Sequence, residues 1–282
     1  MNEMDGLEAL NKNYLILKNE VDSIQISLLS QKTAWYKKIP VIISILALTF
    51  SFGTTYVSNK RIKIQDIQAI KSDLRNMLQQ LSAIPSRNFE LTKKYSDDPN
   101  AVAFVGGQIN QENALLASQA AELIEQLPDD RVSAIEAYSV AVALQFSYQN
   151  QKAFEMYELS HNLATDMNTN VAAKRGMANI LFISGQAEAG RVQFQEALNT
   201  FSIFKGYNDF IQKTTHIVTL LNWFGAESGS GFNAQSIQKL NEAENISKTL
   251  RPGPYTVQVQ GQIQQARNQI IGLSIQSTTT AQ

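Results

Sequence analysis

Residues 174–201 read KRGMANILFISGQAEAGRVQFQEALNTF, and the order of small and large side chains in this stretch decides the fold. Small residues recur where two antiparallel helices would face each other, at Ala178, Gly190 and Ala197. Small side chains let two helices approach closely, while Leu181 and Phe194 are large enough to fill the seam between them. Gly185 lies between the two halves and permits a tight turn. The stretch therefore predicts a pair of antiparallel helices.

The same arrangement occurs upstream in residues 137–164, AYSVAVALQFSYQNQKAFEMYELSHNLA. The corresponding residues are Val140, Ala141, Leu144, Ala153, Tyr157 and Ser160. Ala153 and Gly190 are 37 residues apart. A pair of helices repeated at a fixed period indicates an α-solenoid. No alternation of period two is long enough to argue for a sheet, so this part of the chain is predicted to be all-helical.

The spacing in both stretches resembles the tetratricopeptide repeat (TPR), a two-helix repeat of about 34 residues. Residues 209–228 and 234–250, joined by GSGFN, would form a degenerate third pair. A final helix over about Tyr255 to Leu273 would cap the stack, because an isolated repeat cannot bury its faces. The resemblance implies a TPR-like solenoid with a concave groove that binds an extended peptide or a partner helix. An irregular helical bundle is the alternative.

Carried over to this sequence, the resemblance implies a partner-binding groove that contains Tyr138, Gln145, Arg175, Asn179 and Asn222. Arg175 and Asn179 are one helical turn apart and resemble the basic-plus-amide pair with which some members bind a terminal carboxylate. Such a pair makes charge-assisted hydrogen bonds. A solvated polar face is the alternative interpretation.

An apolar run lies near the start of the chain, where residues 39–57 are nineteen residues without a charge. As a helix this run would be about 28 Å long, close to the thickness of a bilayer core. Trp35 and Tyr56 flank it with amphipathic rings, and Lys37, Lys38, Lys60 and Arg61 supply cations at both ends. The run predicts a single transmembrane helix over 37–59. A buried core helix or a cleaved signal sequence is the alternative.

Apolar residues at alternating steps of three and four predict helical seams on both sides of this run. The first contains Leu7, Leu10, Tyr14, Leu17, Val21, Ile24 and Leu28; the second contains Ile67, Ile70, Leu74, Met77, Leu81 and Ile84 and should end before Pro85. Inside the apolar run, small residues follow the same rhythm at Ser44, Ala47 and Ser51. The three segments predict a homodimer or a higher homo-oligomer. Packing of each seam within one chain is the alternative.

Four segments follow from these patterns: an amphipathic, coiled-coil-like helix over 1–36, the transmembrane helix over 37–59, a helical stalk and linker over 60–95, and a TPR-like helical domain over 96–282. Asp98 before Pro99 predicts the first helix start of that domain, and Asp129 or Asp130 predicts the next.

Composition excludes several classes of function. The net charge of −1 and the absence of a basic run longer than two residues argue against nucleic acid. The chain has no cysteine, and its two histidines, His161 and His216, are too far apart in sequence for a helical metal-ligand pair. The glycines of GAESGSGFN lack the strand and the Lys-Ser/Thr pair of a phosphate-binding loop. We expect no metal, no cofactor, no catalytic residue and no enzymatic activity.

The sequence therefore predicts a single-pass membrane scaffold or adaptor that binds a protein or peptide through its concave helical face, with the lipid bilayer as a second partner. A sensory module that transmits ligand binding along the stalk is the alternative. The side of the membrane that carries the C-terminal domain is undecided. More cations follow the apolar run than precede it, which favours the cytoplasm, whereas a charged fraction of only 17% favours export.

Overall fold

The structure, a computed structural model, describes the backbone of residues 3–30 and 39–279 and the side chains of residues 12–27 and 63–268. Across that backbone the chain is all-helical. The described backbone contains ten α-helices and no strand: α1 Glu3–Ser30, α2 Ile39–Lys94, α3 Pro99–Glu125, α4 Ala134–Phe146, α5 Asn150–Leu163, α6 Met167–Ile183, α7 Ala187–Asn199, α8 Asp209–Gly229, α9 Asn233–Ser247 and α10 Pro254–Thr279. The chain divides into two units, Met1–Gln68 and Ala69–Gln282.

The first unit contains α1 and the beginning of α2. In the described part of α1 the predicted seam is largely in solvent, since Tyr14 is 65% and Ile24 is 44% exposed. Leu17 and Val21, at the centre of the seam, are half-buried. Leu7, Leu10 and Leu28 lie outside the residues whose side chains are described.

The structure corrects the predicted membrane anchor. In the part of the chain that the structure describes, no helix has both the length and the apolar character needed to cross a membrane. The helix that contains the apolar run continues to Lys94, and its described residues are rich in charge, beginning with Lys63, Asp66 and Lys71. The predictions of a transmembrane helix and of a single-pass membrane protein are therefore wrong. The segment 37–59, with Ser44, Ala47 and Ser51, lies outside the residues whose side chains are described.

The second seam packs within its own chain over much of its length. Leu74, Leu81 and Ile84 are buried, while Ile67, Ile70 and Met77 are half-buried. Arg87 on the same helix is 2.5 Å from Glu112 of α3, which connects the two helices. For these buried residues, the seam therefore packs within one chain, which was the alternative to self-association. Self-association through the second seam stays a prediction.

The predicted end of this helix before Pro85 is wrong, because α2 continues through Pro85 to Lys94. Proline removes one backbone hydrogen bond from a helix but does not always end it. The next helix begins as predicted, since Asp98 accepts from the backbone N–H groups of Asn100 and Ala101, with Pro99 as the first helical residue.

The predicted cap of α4 needs a correction as well. Asp129 and Asp130 belong to a short 3-10 turn, Asp129–Arg131, and Ser133 caps α4 instead. Ser133 accepts from the N–H of Glu136, and the Glu136 carboxylate accepts from the N–H of Ser133. This reciprocal capping box satisfies the backbone donors of both Ser133 and Glu136.

Three helix pairs follow, α4 with α5, α6 with α7 and α8 with α9, and each pair is in contact along its length. Because three residues connect the two helices of each pair, the helices run antiparallel. The first helices also contact one another, α4 with α6 and α6 with α8, while α10 contacts α9. The core contains Phe194, Ile217, Leu220 and Leu240, all nearly inaccessible to water.

Two glycines bring helices unusually close together. A Cβ atom added at Gly176 would lie 2.4 Å from the ring of Tyr157, and one added at Gly190 would lie 2.5 Å from the ring of Phe182. The small residue predicted at position 190 is therefore required by packing. Phe194 fills the seam as predicted, but Phe182 is buried in place of the predicted Leu181, which is half-buried.

We expect Gly176→Ala to destabilise the fold, because the added methyl group overlaps the buried ring of Tyr157 and neither helix can move without its neighbours. Overpacking of this kind typically costs about 1–3 kcal/mol. Chemical denaturation monitored by circular dichroism measures the free energy of unfolding. Gly106→Ala in α3 is the matched control, since a Cβ atom there meets nothing within 4 Å and alanine is the better helix former. Equal stabilities of the two variants would contradict the packing described for Gly176.

Candidate functional site

The C-terminal parts of α4, α6 and α8 form an open groove of about 1000 Å³, together with one face of α10. Its apolar floor includes Phe182, Leu221 and Phe224. The polar side chains in its lining are mostly amides: Gln145, Asn179, Asn222, Gln262 and Gln265. No charged side chain belongs to the lining among the described residues. The groove is thus a neutral surface that combines amides with apolar contacts.

The hydrogen bonds of these amides leave specific atoms available. The Oε1 atom of Gln145 accepts from the hydroxyl of Tyr157 at 2.7 Å, and among the described residues its Nε2 donor has no partner. The Nδ2 atom of Asn222 donates to the carbonyl of Val218 at 2.8 Å, and its Oδ1 acceptor has no partner in the same part of the chain. Asn179 makes no hydrogen bond within the described part of the chain. The groove therefore presents both donors and acceptors.

Tyr157 holds Gln145 in place and remains a hydrogen-bond donor over the whole physiological range. Its ring is 2% exposed and lies 5.7 Å from the ring of Tyr138, centroid to centroid. Burial, and then the neighbouring Tyr138, raise the pKa of the Tyr157 hydroxyl. The proton that Gln145 accepts is therefore retained.

The structure places three of the five predicted groove residues together and leaves two elsewhere. Gln145, Asn179 and Asn222 line the groove, whereas Tyr138 and Arg175 do not. Arg175 is half-buried and has no hydrogen bond or ion pair among the described residues. Burial lowers the pKa of its guanidinium, while Tyr138 and Tyr255 act in the opposite direction. Its predicted role in binding a carboxylate stays a prediction.

Sequence reasoning missed the contribution of α10 to the groove. The final helix was expected only to cap the stack, yet Gln262 and Gln265 face the same cavity as Asn222. Two glutamines at a spacing of three residues share one face of a helix, and the buried Val259, Ile263 and Ala266 lie on the adjacent face, where Ala266 also borders the groove. This pattern is visible in the sequence, but the neighbour of the polar face is not.

A buried ion pair fixes α7 against α8 below the groove. Glu227 is 1% exposed, and its carboxylate accepts from Nε of Arg191 at 2.8 Å and from Nη2 at 2.7 Å. The indole of Trp223 donates to the same carboxylate at 2.8 Å and stacks on Phe194 with a centroid distance of 5.5 Å. The bidentate bond to Glu227 raises the pKa of Arg191. These contacts hold the helix that carries Asn222 in a fixed position.

Each of the two histidines contacts a neighbouring side chain of the helical core or its edge. The Nδ2 atom of Asn170 is 2.8 Å from Nδ1 of His161, and the ring of His216 stacks on Phe201 at 5.7 Å. Burial is the main cause that lowers the pKa of both imidazoles. Among the described residues, no three His, Cys, Asp or Glu side chains converge in an arrangement that would hold a metal ion. The absence of a cofactor and of catalysis stays a prediction.

A second cavity of about 520 Å³ lies beside His216, between the end of α7 and the beginning of α8. Asp209 and Lys213 border it and form an ion pair of 2.7 Å with each other. Their charges are thus already paired, and the amide groove is the better candidate for a binding site.

Comparison with known proteins does not name a family. No protein-family model matches this chain. No curated protein matches it either. The identification of the chain as TPR-like with a single transmembrane anchor is therefore corrected, because no family model matches and no helix among the described residues could span a membrane.

One solved structure is similar in part, the crystal structure of BtubC (BKLC) from P. vanneervenii. The sequence identity is 15%, the TM-score is 0.26, and the match covers 63% of this chain and 94% of that chain. A likeness with so low a TM-score carries no argument about this chain.

We expect Glu227→Gln to destabilise the fold, because Arg191 would then lose a carboxylate partner in a largely buried site. Removing one partner of a buried pair costs about 3–5 kcal/mol, and the residual exposure of Arg191 places the expected loss at the lower end. Glu188→Gln is the matched control, since Glu188 also pairs with Arg191 but is 88% exposed. Exposed pairs contribute about 0–1 kcal/mol. Urea denaturation of both variants measures the difference, and equal losses would contradict the role given to Glu227.

Proposed function

We propose that this chain is a scaffold or adaptor that binds an extended peptide segment of a protein partner in the amide groove. The helix pairs α4–α5, α6–α7 and α8–α9 are interpreted as a short solenoid. Contacts of α4 with α6 and of α6 with α8 support this interpretation, because they are expected of an inner layer of first helices. The observation that carries the proposal is the shared groove of Gln145, Asn179 and Asn222.

The chemistry of the groove suits a peptide backbone better than a charged or a purely apolar ligand. Each peptide group has one N–H donor and one carbonyl acceptor. The groove offers the unused donor of Gln145, the unused acceptor of Asn222 and both functions of Asn179. An extended segment has no internal hydrogen bonds, so its backbone groups are free to pair with these amides. The apolar floor below them then removes side chains of the peptide from water.

The alternatives differ in what they require. A sensory module would need the groove to change the packing of α2 when a ligand binds. An enzyme would need a reactive side chain in the groove, and the described lining consists of amides, hydroxyls and apolar residues. The scaffold role requires only binding, which is why we prefer it.

Selection of random dodecapeptides displayed on phage against the full-length chain tests the proposal. We expect selected peptides to bind the unaltered chain and to lose affinity by about tenfold or more for Asn179→Ala combined with Asn222→Ala, since two groups that pair with the peptide backbone are removed. Fluorescence anisotropy measures the dissociation constants. Gln238→Ala on the exposed face of α9 is the control and should have no effect. Peptides that bind all three proteins equally would contradict the groove proposal.

We also propose that α1 mediates self-association, and the exposed seam in the described part of the helix supports this. Most of the stability of a helix in a protein comes from packing of its apolar face, so a partner helix would stabilise α1. Tyr14, Leu17, Val21 and Ile24 would alternate along the contact between two copies, which is the coiled-coil pattern.

Leu17→Asp should shift the full-length chain from dimer to monomer, because it places a charge in the centre of this seam. Leu15→Asp is the matched control, since Leu15 is 54% exposed and lies off the seam on the same helix. Sedimentation velocity measures both variants. We expect the first to weaken dimerisation by about tenfold or more and the second to leave it unchanged. A monomer at all concentrations of the unaltered chain, or the same effect of both variants, would contradict the proposal.

A further inference from the structure

The three pairs turn through the same backbone conformation, which allows their turns to be compared residue by residue. The turns are Ser147-Tyr148-Gln149, Ser184-Gly185-Gln186 and Ser230-Gly231-Phe232. In each turn the N–H of the third residue donates to the carbonyl five positions earlier, at distances of 3.0, 2.8 and 2.9 Å. The middle residue has a φ of 60°, 76° and 82° in the three turns. The three middle positions are therefore equivalent.

Tyr148 occupies a turn position at which the other two pairs have glycine. A left-handed backbone is ordinary for glycine and unfavourable for a residue with a side chain, particularly a bulky one. Gly185 and Gly231 occupy the equivalent positions, while Tyr148 is the one non-glycine residue with positive φ among those the structure describes. Its side chain is 86% exposed, so burial does not compensate for the strain. A strained backbone at an exposed aromatic residue suggests a function for the side chain.

Further apolar side chains lie at the same edge of the molecule. Phe146 is 72% exposed and Ile183 is 62% exposed. We call Phe146, Tyr148 and Ile183 the turn edge. The turn edge adjoins the amide groove, because Ile183 lines the groove and Gln145, which precedes Phe146, lines it too. A ligand that leaves the groove in this direction meets these side chains.

The turn edge has partial negative charge from the ends of three helices. Residues in the last turns of α4, α6 and α8 border the groove, namely Gln145, Ile183 and Gly229, so the C-terminal ends of three helices converge there. None of the three helices has a basic residue in its last turn. Helix C-termini have partial negative charge and favour cations. Arg191, whose guanidinium lies 4.6 Å from the ring centroid of Phe232 in the third turn, is already paired with Glu227 and Glu188.

We propose that the turn edge is the specificity-determining part of the peptide site and selects a segment in which an apolar residue adjoins a lysine or an arginine. The apolar side chain packs on Phe146 and Ile183, and the cation faces the ends of the three helices and the ring of Tyr148. Cations bind favourably to the face of a tyrosine ring. An acidic segment would be repelled by the same three helix ends. This inference rests on the proposed function of the amide groove.

The test uses the dodecapeptides selected on the full-length chain and the variant Tyr148→Gly. Glycine relieves the backbone strain and removes the ring, so we expect Tm to rise by about 2 °C while the affinity for the peptides falls about fivefold or more. If Tyr148 only completes the turn, Tyr148→Gly would raise Tm without any loss of affinity. We further expect the selected peptides to contain more Lys and Arg than the unselected library, next to an aliphatic or aromatic residue.

Phe146→Ala tests the apolar contact and should also weaken binding, whereas Phe104→Ala should not. Phe104 is the matched control, since it is 69% exposed but lies on α3. Peptides that depend on Asn179 but bind Tyr148→Gly and Phe146→Ala with unchanged affinity would overturn this inference and leave the groove proposal intact. An enrichment of Asp and Glu in the selected peptides would overturn it as well. If no selected peptide depends on Asn179, both proposals are wrong.

Discussion

The buried ring of Tyr157 connects the packing of the helix pairs to the candidate binding site. Its ring lies against Gly176, where no side chain larger than hydrogen fits, and this contact sets the distance between α5 and α6. Its hydroxyl donates to Gln145, and this bond orients the amide that faces the groove. One side chain therefore determines both how closely the second pair approaches the first and which atom of Gln145 remains available. A change in this contact would alter the fold and the site together.

The third pair is joined to the second by a buried ion pair as well as by the apolar core. Glu227 accepts from Arg191 and Trp223, so among the described residues the donors to its carboxylate come from α7 and from its own helix. A buried ion pair adds little net stability compared with apolar packing, but its geometry permits few alternative arrangements. The pair therefore favours one position of α8 relative to α7. Because Asn222 is on α8, the width of the groove depends on this position.

Much of the helical architecture could be predicted from the sequence, since it depends on local patterns. The turn at Gly185 and the close contact at Gly190 follow from residues whose size or backbone freedom has few explanations. The sequence does not decide which of two neighbouring apolar residues is buried. It predicts Leu181 in the seam, whereas Phe182 lies there, and the two side chains point about 100° apart on the helix. The sequence does not decide the helix end near Pro85 or the cap at Ser133, because several local signals compete at each. The apolar run predicts a membrane anchor from its length and its flanking aromatic residues and cations, and the described part of the chain contains no such span.

The candidate site was predictable only in part. Gln145, Asn179 and Asn222 all lie on first helices, and the resemblance to a repeat is enough to place first helices along a shared groove. Gln262 and Gln265 reach the same groove through the tertiary position of α10, which no local pattern specifies.

The role of Tyr148 cannot be predicted from the sequence for a different reason. A tyrosine in a turn is not unusual until the backbone conformation of that turn is known. Comparison with Gly185 and Gly231 makes it informative: the same turn forms with glycine, so the fold itself does not require an aromatic residue there. The first pair thus differs from the other two at a position where the difference weakens the fold and enlarges an exposed apolar edge. A stability cost with no gain in packing is expected where a side chain serves binding.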